Sequence, residues 1–531
     1  MRTRSRLAAL IFFLLLALAN VQSVVADGAA PLYSIRQRFG VNVAASFPSQ
    51  VGFPGSIADY PNVAQVGFGW YSDWRIDNAP LCPDGIEYAQ LLQTRPWPPN
   101  WTRLEESVRC NPGSLWLIGN EPETRGQGEH TPSEYAERYH EAYHFIKGID
   151  PETQIAIGGL VMPTPLRLEW LDQCLAHYEQ AFGEPMPVDV WNIHVQILQE
   201  KRGSWGCGIP YGMDDDEGRL YEIIDNCNVT VFKQLIIEFC MWLDERGQRD
   251  KPLIISEFGV LMPSSYLPQG DQSVLDFMEG AFDYLLSARD PVLGYAADEG
   301  RLVQRWMWFS LNFPFYERTP GGFNGGLFVW QNPDQYTVFG EFYEDYVESV
   351  TPRTIDIPVN VDTYIDAARP TRAYSDRGRI KVKADSGGYV MSGLFGFDLS
   401  DFSQGADVLT ATLTMHAVAR TNAQSIQMRV GPATTAWDQD VTYQEATLSG
   451  LERGQPSVLV EVSEENEPAH CDVTDVVRAW TSGELPNHGL MIDTLDAGNR
   501  GNVTYDFASS EWVEGPQPPP ELSIRCVTHT P

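Results

Sequence analysis

The chain has 531 residues, of which 43% are hydrophobic, and its 71 acidic against 37 basic residues give a formal net charge of −34. This charge argues against nucleic acid or anionic lipid as a partner, because both would be repelled. The hydrophobic content is sufficient for a large core, and a chain of this length is expected to form two or three units.

Residues 1–26 have the pattern of a signal peptide. Three arginines among the first six residues precede an apolar run from Leu7 to Ala19, and Val24-Val25-Ala26 supplies the small residues of a cleavage site. The apolar run is shorter than the ~20 residues that a membrane span needs. We therefore expect a secreted, extracellular protein that begins near Asp27 and has no membrane span.

Eight cysteines in an exported chain indicate disulfide bonds. The expected pairs are Cys471 with Cys526, Cys82 with Cys110, and Cys207 with Cys227, while Cys174 and Cys240 either form a bridge or remain buried thiols. Because no Cys-x-x-Cys or histidine-rich spacing is evident, the sequence predicts no metal site and no cofactor.

Residues 27–350 alternate apolar runs with amphipathic stretches. Eight strands are predicted, at Phe39–Ala44, Val63–Trp70, Leu91–Trp97, Leu115–Asn120, Ile155–Leu160, Val188–Gln196, Leu253–Val260 and Arg305–Asn312. The clearest helices between them are Ser133–Lys147, Val229–Arg246 and Val274–Ala288, where apolar residues recur at helical spacing. This alternation over roughly 310 residues fits an α/β fold of the TIM (β/α)₈ barrel type, whereas the rival doubly wound sheet would need a glycine-rich turn after an early strand.

The pattern changes after Val350. Residues 351–359 contain Pro352 and Pro358 and are expected to form a linker. From 360 to 531 the apolar runs are short and alternating, and no long helical pattern is present. This second unit is therefore predicted to be an all-β antiparallel sandwich.

Two of the predicted barrel strands end in a glutamate. The fourth strand runs into Asn120-Glu121-Pro122, and the seventh runs into Ser256-Glu257. A polar residue at the C-terminal end of a barrel strand faces the mouth, where active sites lie. One carboxyl group there can protonate a leaving sugar oxygen while the other faces the anomeric carbon. A separation of ~5–5.5 Å would give retention of configuration, whereas ~6.5–9.5 Å would leave room for water and give inversion.

These two motifs resemble those of the large clan of retaining barrel glycosidases often called clan A, over about residues 39–350. The resemblance implies a double displacement with Glu121 as general acid/base and Glu257 as nucleophile. It implies a secreted glycosidase that hydrolyses O-glycosidic bonds of a polysaccharide, an oligosaccharide or a glycoside. The alternative is a catalytically inactive barrel that binds glycan or acts in cell-surface adhesion.

Three further residues are candidates for substrate binding. Asn120 is expected to point toward the sugar 2-hydroxyl. His194, near the end of the sixth strand, lies where members of the clan often place a residue that hydrogen-bonds the nucleophile or the sugar, although a lone histidine is as often a core residue. Trp308 resembles the clan's aromatic platform under the reacting sugar, with simple barrel packing as the alternative.

The segment after the second predicted strand adds weaker candidates. Arg75 is expected to brace the nucleophile, as an arginine does in many members of the clan. Trp70, Trp74 and Trp97 offer stacking surfaces for apolar sugar faces or belong to the core.

The second unit resembles disaggregatase-related modules, which are also called DNRLRE domains. The segments that carry this resemblance, in order, are Val361–Ile365, Phe397–Ser400, Ala411–Met415, Trp437, Val441–Tyr443, Asp472–Trp480, Asn487–Leu490 and Ser509–Glu511. Such modules are β-sandwiches on extracellular proteins, and some bind polysaccharide. The resemblance implies attachment to glycan or to a cell surface through residues 360–531, with a pure spacer as the alternative.

Overall fold

The computed structural model describes residues 32–46, 52–315, 322–384, 389–400, 402, 406–494 and 502–528. The predicted signal peptide lies outside these residues. Among the helices that are described, none combines the length and the hydropathy that a membrane crossing requires.

The first unit is a closed (β/α)₈ barrel, which confirms the predicted fold class. Its strands are Phe39–Asn42, Trp70–Ser72, a third strand in two parts (Glu87–Tyr88 and Gln90–Leu92), Leu115–Asn120, Gln154–Gly159, Trp191–Val195, Leu253–Phe258 and Arg305–Trp308. The strand pairs are parallel, and the eighth strand pairs with the first, where Val41 is opposite Trp308. Two isolated parallel bridges, at Ala156 and Leu160, join the fifth strand to the sixth.

Helices surround the barrel. The helices of this unit are Ile35–Arg38, Trp101–Cys110, Pro132–Ile149, Pro165–Phe182, Val229–Glu245, Asp271–Ser287 and Val338–Val350. Thr131 caps the third of them in a reciprocal capping box with Glu134. Asn228 caps the fifth by accepting hydrogen bonds from two backbone amides. The three helices predicted most clearly from the sequence are therefore confirmed to within a few residues at each end.

The second and third strands differ from their predictions. The third ends at Leu92 instead of Trp97, and the second begins later than expected. Residues Val63–Val66 form a 3₁₀ helix, and the second strand begins only at Trp70. Val63 and Val66 are buried, but they pack in the core outside the barrel, near the helix Val338–Val350. A short apolar run does not distinguish a strand from another buried segment, which explains the error. The shift places Trp70 at the start of its strand, away from the mouth.

Side chains from seven strands fill the barrel interior below the mouth. This cluster comprises Trp70, Ala89, Leu91, Leu117, Ala156, Val190, Ile254 and Met307. The first strand contributes Gly40, where an added Cβ would lie 2.4 Å from Nε1 of Trp70. The indole of Trp70 therefore occupies the space that a side chain at position 40 would need, and the barrel is a packed core rather than a pore.

The second unit is a curled antiparallel β-sheet, as predicted, with two short helices, Tyr443–Ser449 and Thr474–Thr481. Its strands are Arg353–Pro358, Val361–Asp366, Arg379–Ala384, Met391–Gly396, Asp407–Arg420, Ile426–Pro432, Val458–Val462, Pro468–Asp472, Leu490–Thr494, Val503–Ala508 and Glu521–Val527. The long strand Asp407–Arg420 pairs first with Glu521–Val527 and then, beyond a register shift near Ala417, with Val503–Ala508. The sheet thereby curls around its own apolar core.

The residues predicted as a linker form the first strand of this sheet. Arg353–Pro358 pairs along its whole length with the strand Glu521–Val527. Pro352 and Pro358 flank or end this strand, where the missing amide hydrogens cost little. Proline at both ends of a short segment thus indicated an edge strand rather than a linker.

The disulfide prediction is wrong for the structure: all eight cysteines lie in described residues and are free thiols. Cys471 and Cys526 lie on strands that flank opposite edges of Asp407–Arg420, opposite Leu413 and Val408 respectively. Two strand spacings, about 10 Å, therefore separate them. A disulfide needs Cα atoms within about 7 Å.

Candidate active site

A cleft of about 530 Å³ opens at the C-terminal ends of the barrel strands. Its apolar lining includes Trp74, Leu261, Met262, Phe309, Phe313 and Phe323. Its polar lining includes Gln93, Asn120, Glu121, Arg125, Gln127, Gln196 and Glu257. The cleft is thus aromatic on one part and rich in hydrogen-bonding groups on the other, which suits a ligand that has both apolar faces and hydroxyl groups.

Glu121 reaches the cleft through an unusual backbone turn. Its φ is 42°, and that of Gly119 is 97°, so both residues adopt left-handed conformations. The amide of Glu121 donates to the carbonyl of Gly159, and its own carbonyl accepts from the amides of Thr124 and Gly128. In a regular strand, Asn120 and Glu121 would face opposite sides, whereas here both line the cleft. A non-glycine residue held in this conformation is a feature that clusters at functional sites.

Glu257 reaches the cleft through a β-bulge in the seventh strand. Ile255 is opposite Ile193, but the next residue along the sixth strand, His194, is opposite Glu257, so Ser256 is the extra residue. Ile254 faces the barrel interior and Ile255 the outer core. Without the bulge, Ser256 would be the next inward residue and Glu257 would face outward. The amide of Ser256 donates to Oδ1 of Asn192 on the sixth strand, and its carbonyl accepts from Asn42 on the first strand, so side chains of two other strands hold the bulge.

The structure brings Glu121, Glu257 and His194 together. Nδ1 of His194 lies 3.2 Å from Oε1 of Glu121, and Nε2 lies 3.6 Å from Oε1 of Glu257. One oxygen of each carboxyl group and a nitrogen of His194 all lie within 4.8 Å of one another. At Gly159 an added Cβ would lie 2.3 Å from the imidazole, so glycine leaves the space that His194 fills. His194 is therefore fully buried and bridges the two carboxyl groups of the site.

Trp74 completes the surroundings of Glu257. Its Nε1 donates a hydrogen bond of 2.7 Å to Oε1 of Glu257. Its φ of 60° is left-handed, and its ring lies against that of Phe309, with centroids 5.9 Å apart. The sequence suggested only a stacking surface at this position, and the hydrogen bond to the carboxylate was not predicted.

Burial and mutual repulsion control the protonation of this group. Burial raises the pKa of Glu257 to about 7, Glu121 adds to the rise, and His194 and Trp74 oppose it. Burial lowers the pKa of His194, but Glu257 and Glu121 outweigh it, so that this pKa is raised. The carboxyl pair therefore retains a proton up to about pH 7. Two carboxyl groups and an imidazole are also possible metal ligands, so the expected absence of a cofactor stays a prediction.

Of the predicted substrate-binding residues, Asn120 lines the cleft, His194 lies buried between the two carboxyl groups, and Trp308, Trp70 and Arg75 lie away from the cleft. Trp308 is fully buried, donates to the carbonyl of Gly325 and packs against Phe258 and the surrounding helices. Trp70 lies at the opposite end of the barrel, under the guanidinium of Arg305. Arg75 forms an ion pair with Asp73, and its side chain is 56% exposed.

The prediction for Trp308 assigned the wrong face of the eighth strand to the cleft. Met307 belongs to the barrel interior, so Trp306 and Trp308 point outward and Phe309 points into the cleft. Phe309 was therefore missed, although strict alternation from an interior residue would have identified it.

Two amide side chains in the cleft have an oxygen without a partner among the described residues. Asn120, which was predicted, and Gln196, which was missed, are each more than nine-tenths buried. Oδ1 of Asn120 and Oε1 of Gln196 accept no hydrogen bond from the described part of the chain. Gln196 follows His194 by two residues and so shares its side of the strand. Both oxygens are suited to accept hydrogen bonds from ligand hydroxyl groups.

A buried ion cluster joins the loops behind the site. Arg167 lies 2.8 Å from Glu123 and 3.0 Å from Glu200, and all three side chains are fully buried. Oε1 of Glu123 also accepts from the amide of Val161. The cluster connects the segments that follow the fourth, fifth and sixth strands. Removing Arg167 would leave two buried carboxyl groups without their cation, and breaking a buried pair in this way costs about 3–5 kcal/mol.

Comparison with protein families identifies a carbohydrate-binding module in the second unit. The model of carbohydrate-binding module family 96 matches residues 353–524. The match begins within the strand Arg353–Pro358, which agrees with the structural start of the sheet. No curated protein sequence is significantly similar to this chain.

Solved structures similar to this chain include several glycoside hydrolases. A GH128 (subgroup II) endo-beta-1,3-glucanase from Sorangium cellulosum is 15% identical with a TM-score of 0.36, over 58% of this chain and 97% of the enzyme. A glucosidase from Croceicoccus marinus is 11% identical with a TM-score of 0.41, over 90% and 97%. An alpha-L-arabinofuranosidase from Thermotoga maritima is 12% identical with a TM-score of 0.36, over 90% and 98%.

Proposed function

We propose that this protein is a retaining glycosidase that hydrolyses O-glycosidic bonds of a β-linked polysaccharide or oligosaccharide by double displacement. The observation that carries the proposal is the close approach of Glu121 and Glu257 across one cleft, within 4.8 Å. This approach fits the ~5–5.5 Å separation typical of retaining enzymes and leaves too little room for the water that inversion requires.

The surroundings of the two carboxyl groups support different roles for them. Nε1 of Trp74 can only donate, and its hydrogen bond therefore favours the ionised form of Glu257. We therefore assign Glu121 as the acid that protonates the leaving oxygen and Glu257 as the nucleophile that attacks the anomeric carbon. Once Glu257 is esterified its charge is lost, and Glu121 can act as the base that activates water.

The rest of the chain supports a glycan as the substrate. The aromatic side chains of the cleft offer flat surfaces to the apolar faces of sugar rings, and the amides of Asn120 and Gln196 offer acceptors to hydroxyl groups. We further propose that the second unit holds the enzyme on its polysaccharide or on a cell surface, and that the protein is secreted. The family 96 match and the resemblance to disaggregatase-related modules support the first point, and the N-terminal pattern supports the second.

Product analysis tests the proposal and separates it from an inactive glycan-binding barrel. With a panel of aryl β-glycosides, we expect hydrolysis in which proton NMR first detects the β-anomer of the released sugar. We also expect activity to survive dialysis against a chelator, because no step uses a metal. An α-anomer as first product would refute the retaining mechanism, and binding without turnover across aryl glycosides and polysaccharides would favour the inactive barrel.

The rate is expected to fall at alkaline pH. Burial and the charge of Glu121 raise the pKa of Glu257 to about 7, and in a pair of interacting carboxyl groups this value describes the loss of their last shared proton. Raising the pH through about 7 therefore removes the proton that the leaving group needs. The value of kcat/KM should therefore decrease about tenfold for each further pH unit. Initial rates from about pH 5 to pH 9 measure this limb. A kcat/KM that stays constant to about pH 9 would contradict the shared proton.

A further inference from the structure

Two histidines and a glutamate, none of which lines the cleft, meet on the outer surface of the barrel. His140 and His144 lie on the helix Pro132–Ile149, and Glu184 follows the neighbouring helix Pro165–Phe182. One donor atom of each of these three side chains lies within 4.8 Å of the other two.

The local structure orients these side chains toward one another. The two histidines are four residues apart and so share a helix face, with ring centroids 4.3 Å apart. Phe182 stacks on His140 with centroids 3.6 Å apart, and the hydroxyl of Tyr178 lies 2.8 Å from Nδ1 of His140. Gly183, with a φ of 76°, ends the helix Pro165–Phe182 and is followed directly by Glu184. Oε1 of Glu184 then lies 3.7 Å from Nε2 of His144.

We propose that His140, His144 and Glu184 form a surface site for a divalent transition-metal ion, with Zn²⁺ as its expected occupant. Two imidazoles and a carboxylate suit Zn²⁺, Ni²⁺ or Cu²⁺, whereas Mg²⁺ and Ca²⁺ prefer oxygen ligands. Donors around tetrahedral Zn²⁺ lie roughly 3.3 Å apart, given metal–ligand distances of ~2.0 Å. The side chains of His144 and Glu184 are 47% and 55% exposed, so they can close this gap without moving packed neighbours.

The contacts of His140 favour metal binding over a simple ion pair. The contacts with Tyr178 and Phe182 fix the orientation of its ring, as partners of metal-bound histidines commonly do. The sequence did not indicate this site, because no cysteine motif accompanies the two histidines and Glu184 is 40 residues beyond His144.

Zn²⁺ binding to the full-length protein tests the site. Binding is measured by titration calorimetry after dialysis against a chelator. The protein carries Glu257→Gln, which removes a carboxylate from the cleft, because the cleft holds the other set of possible ligands among the described residues. We expect one Zn²⁺ to bind at this site, with affinity at least tenfold lower in both His144→Ala and Glu184→Gln. Saturating Zn²⁺ should raise Tm by about 4 °C, because it joins two barrel helices. Cobalt should give the visible absorption of a four-coordinate ion.

His177→Ala is the matched control. His177 and Glu137 lie 3.3 Å apart on the same two helices. This pair belongs to neither of the groups of three possible ligands among the described residues. Its substitution should leave Zn²⁺ affinity unchanged. The proposal is overturned if His144→Ala and Glu184→Gln bind Zn²⁺ like the parent, or if Mg²⁺ raises Tm as much as Zn²⁺. Circular dichroism of metal-free samples separates loss of binding from loss of fold.

Discussion

Glu257→Gln is expected to lower kcat for an aryl β-glycoside by at least about 10⁴-fold. The amide has nearly the same volume and can still accept the hydrogen bond from Trp74, but it cannot form the glycosyl ester. Burial raises the pKa of Glu257 because it destabilises the ionised carboxylate in the folded protein. The neutral amide should therefore leave Tm unchanged or raised, which separates the loss of activity from unfolding.

Two controls make this result specific. Glu105→Gln, on the exposed surface of the helix Trp101–Cys110, should retain the parent rate, since Glu105 pairs only with Arg109 among the described residues. Glu257→Gly should regain turnover with azide, which fills the space of the carboxylate and attacks the anomeric carbon directly. Parent-like turnover by Glu257→Gln at an unchanged protein concentration would end the assignment of Glu257 as nucleophile.

The sequence indicated the two carboxyl groups of the cleft because each follows an apolar run near the end of a strand. In the fourth strand, Pro122 marks the end, and in the seventh, Glu257 closes the run. It did not predict how these side chains turn inward. The bulge at Ser256 depends on Asn42 and Asn192, which lie on different strands, and no local pattern contains that information.

Two placements differ from the prediction because the strand's start or its inward face was assigned wrongly. Trp70 begins its strand instead of ending it, and Trp308 faces the helices instead of the cleft. A shift of one residue along a strand exchanges its two faces, so an error of register exchanges core and site. Arg75 is different: Asp73 neutralises it, two residues away, and this local pairing prevails over a longer reach to Glu257.

In the second unit, the local sequence pattern predicted strands but not which strands pair with each other. Short alternating runs predicted its antiparallel strands, but the strand Arg353–Pro358 pairs with residues about 170 positions later in the chain. The assignment of residues 351–359 as a linker rested on proline alone and therefore missed this partner. Similarly, sequence position suggested that Cys471 and Cys526 pair, whereas the intervening strand Asp407–Arg420 separates them.

Glu121→Gln is expected to produce a loss of rate that depends on the leaving group. A natural disaccharide or an alkyl glycoside needs a proton at its leaving oxygen, so kcat/KM should fall by about 10²–10⁴-fold. A dinitrophenyl glycoside leaves without protonation and should form the glycosyl ester at nearly the parent rate. That ester should then accumulate, because water lacks its general base, and mass spectrometry of the quenched protein should detect it on Glu257.

Azide distinguishes the roles of the two glutamates by the configuration of its product. In Glu121→Gly, azide attacks the glycosyl ester after Glu257 has displaced the leaving group, so two inversions give the β-azide. In Glu257→Gly, azide itself displaces the leaving group, so one inversion gives the α-azide. Opposite configurations from the two variants would assign each carboxyl group to its step. Exchanged configurations would show that Glu121 is the nucleophile, and the hydrogen bond from Trp74 would then have to stabilise the resting acid/base instead.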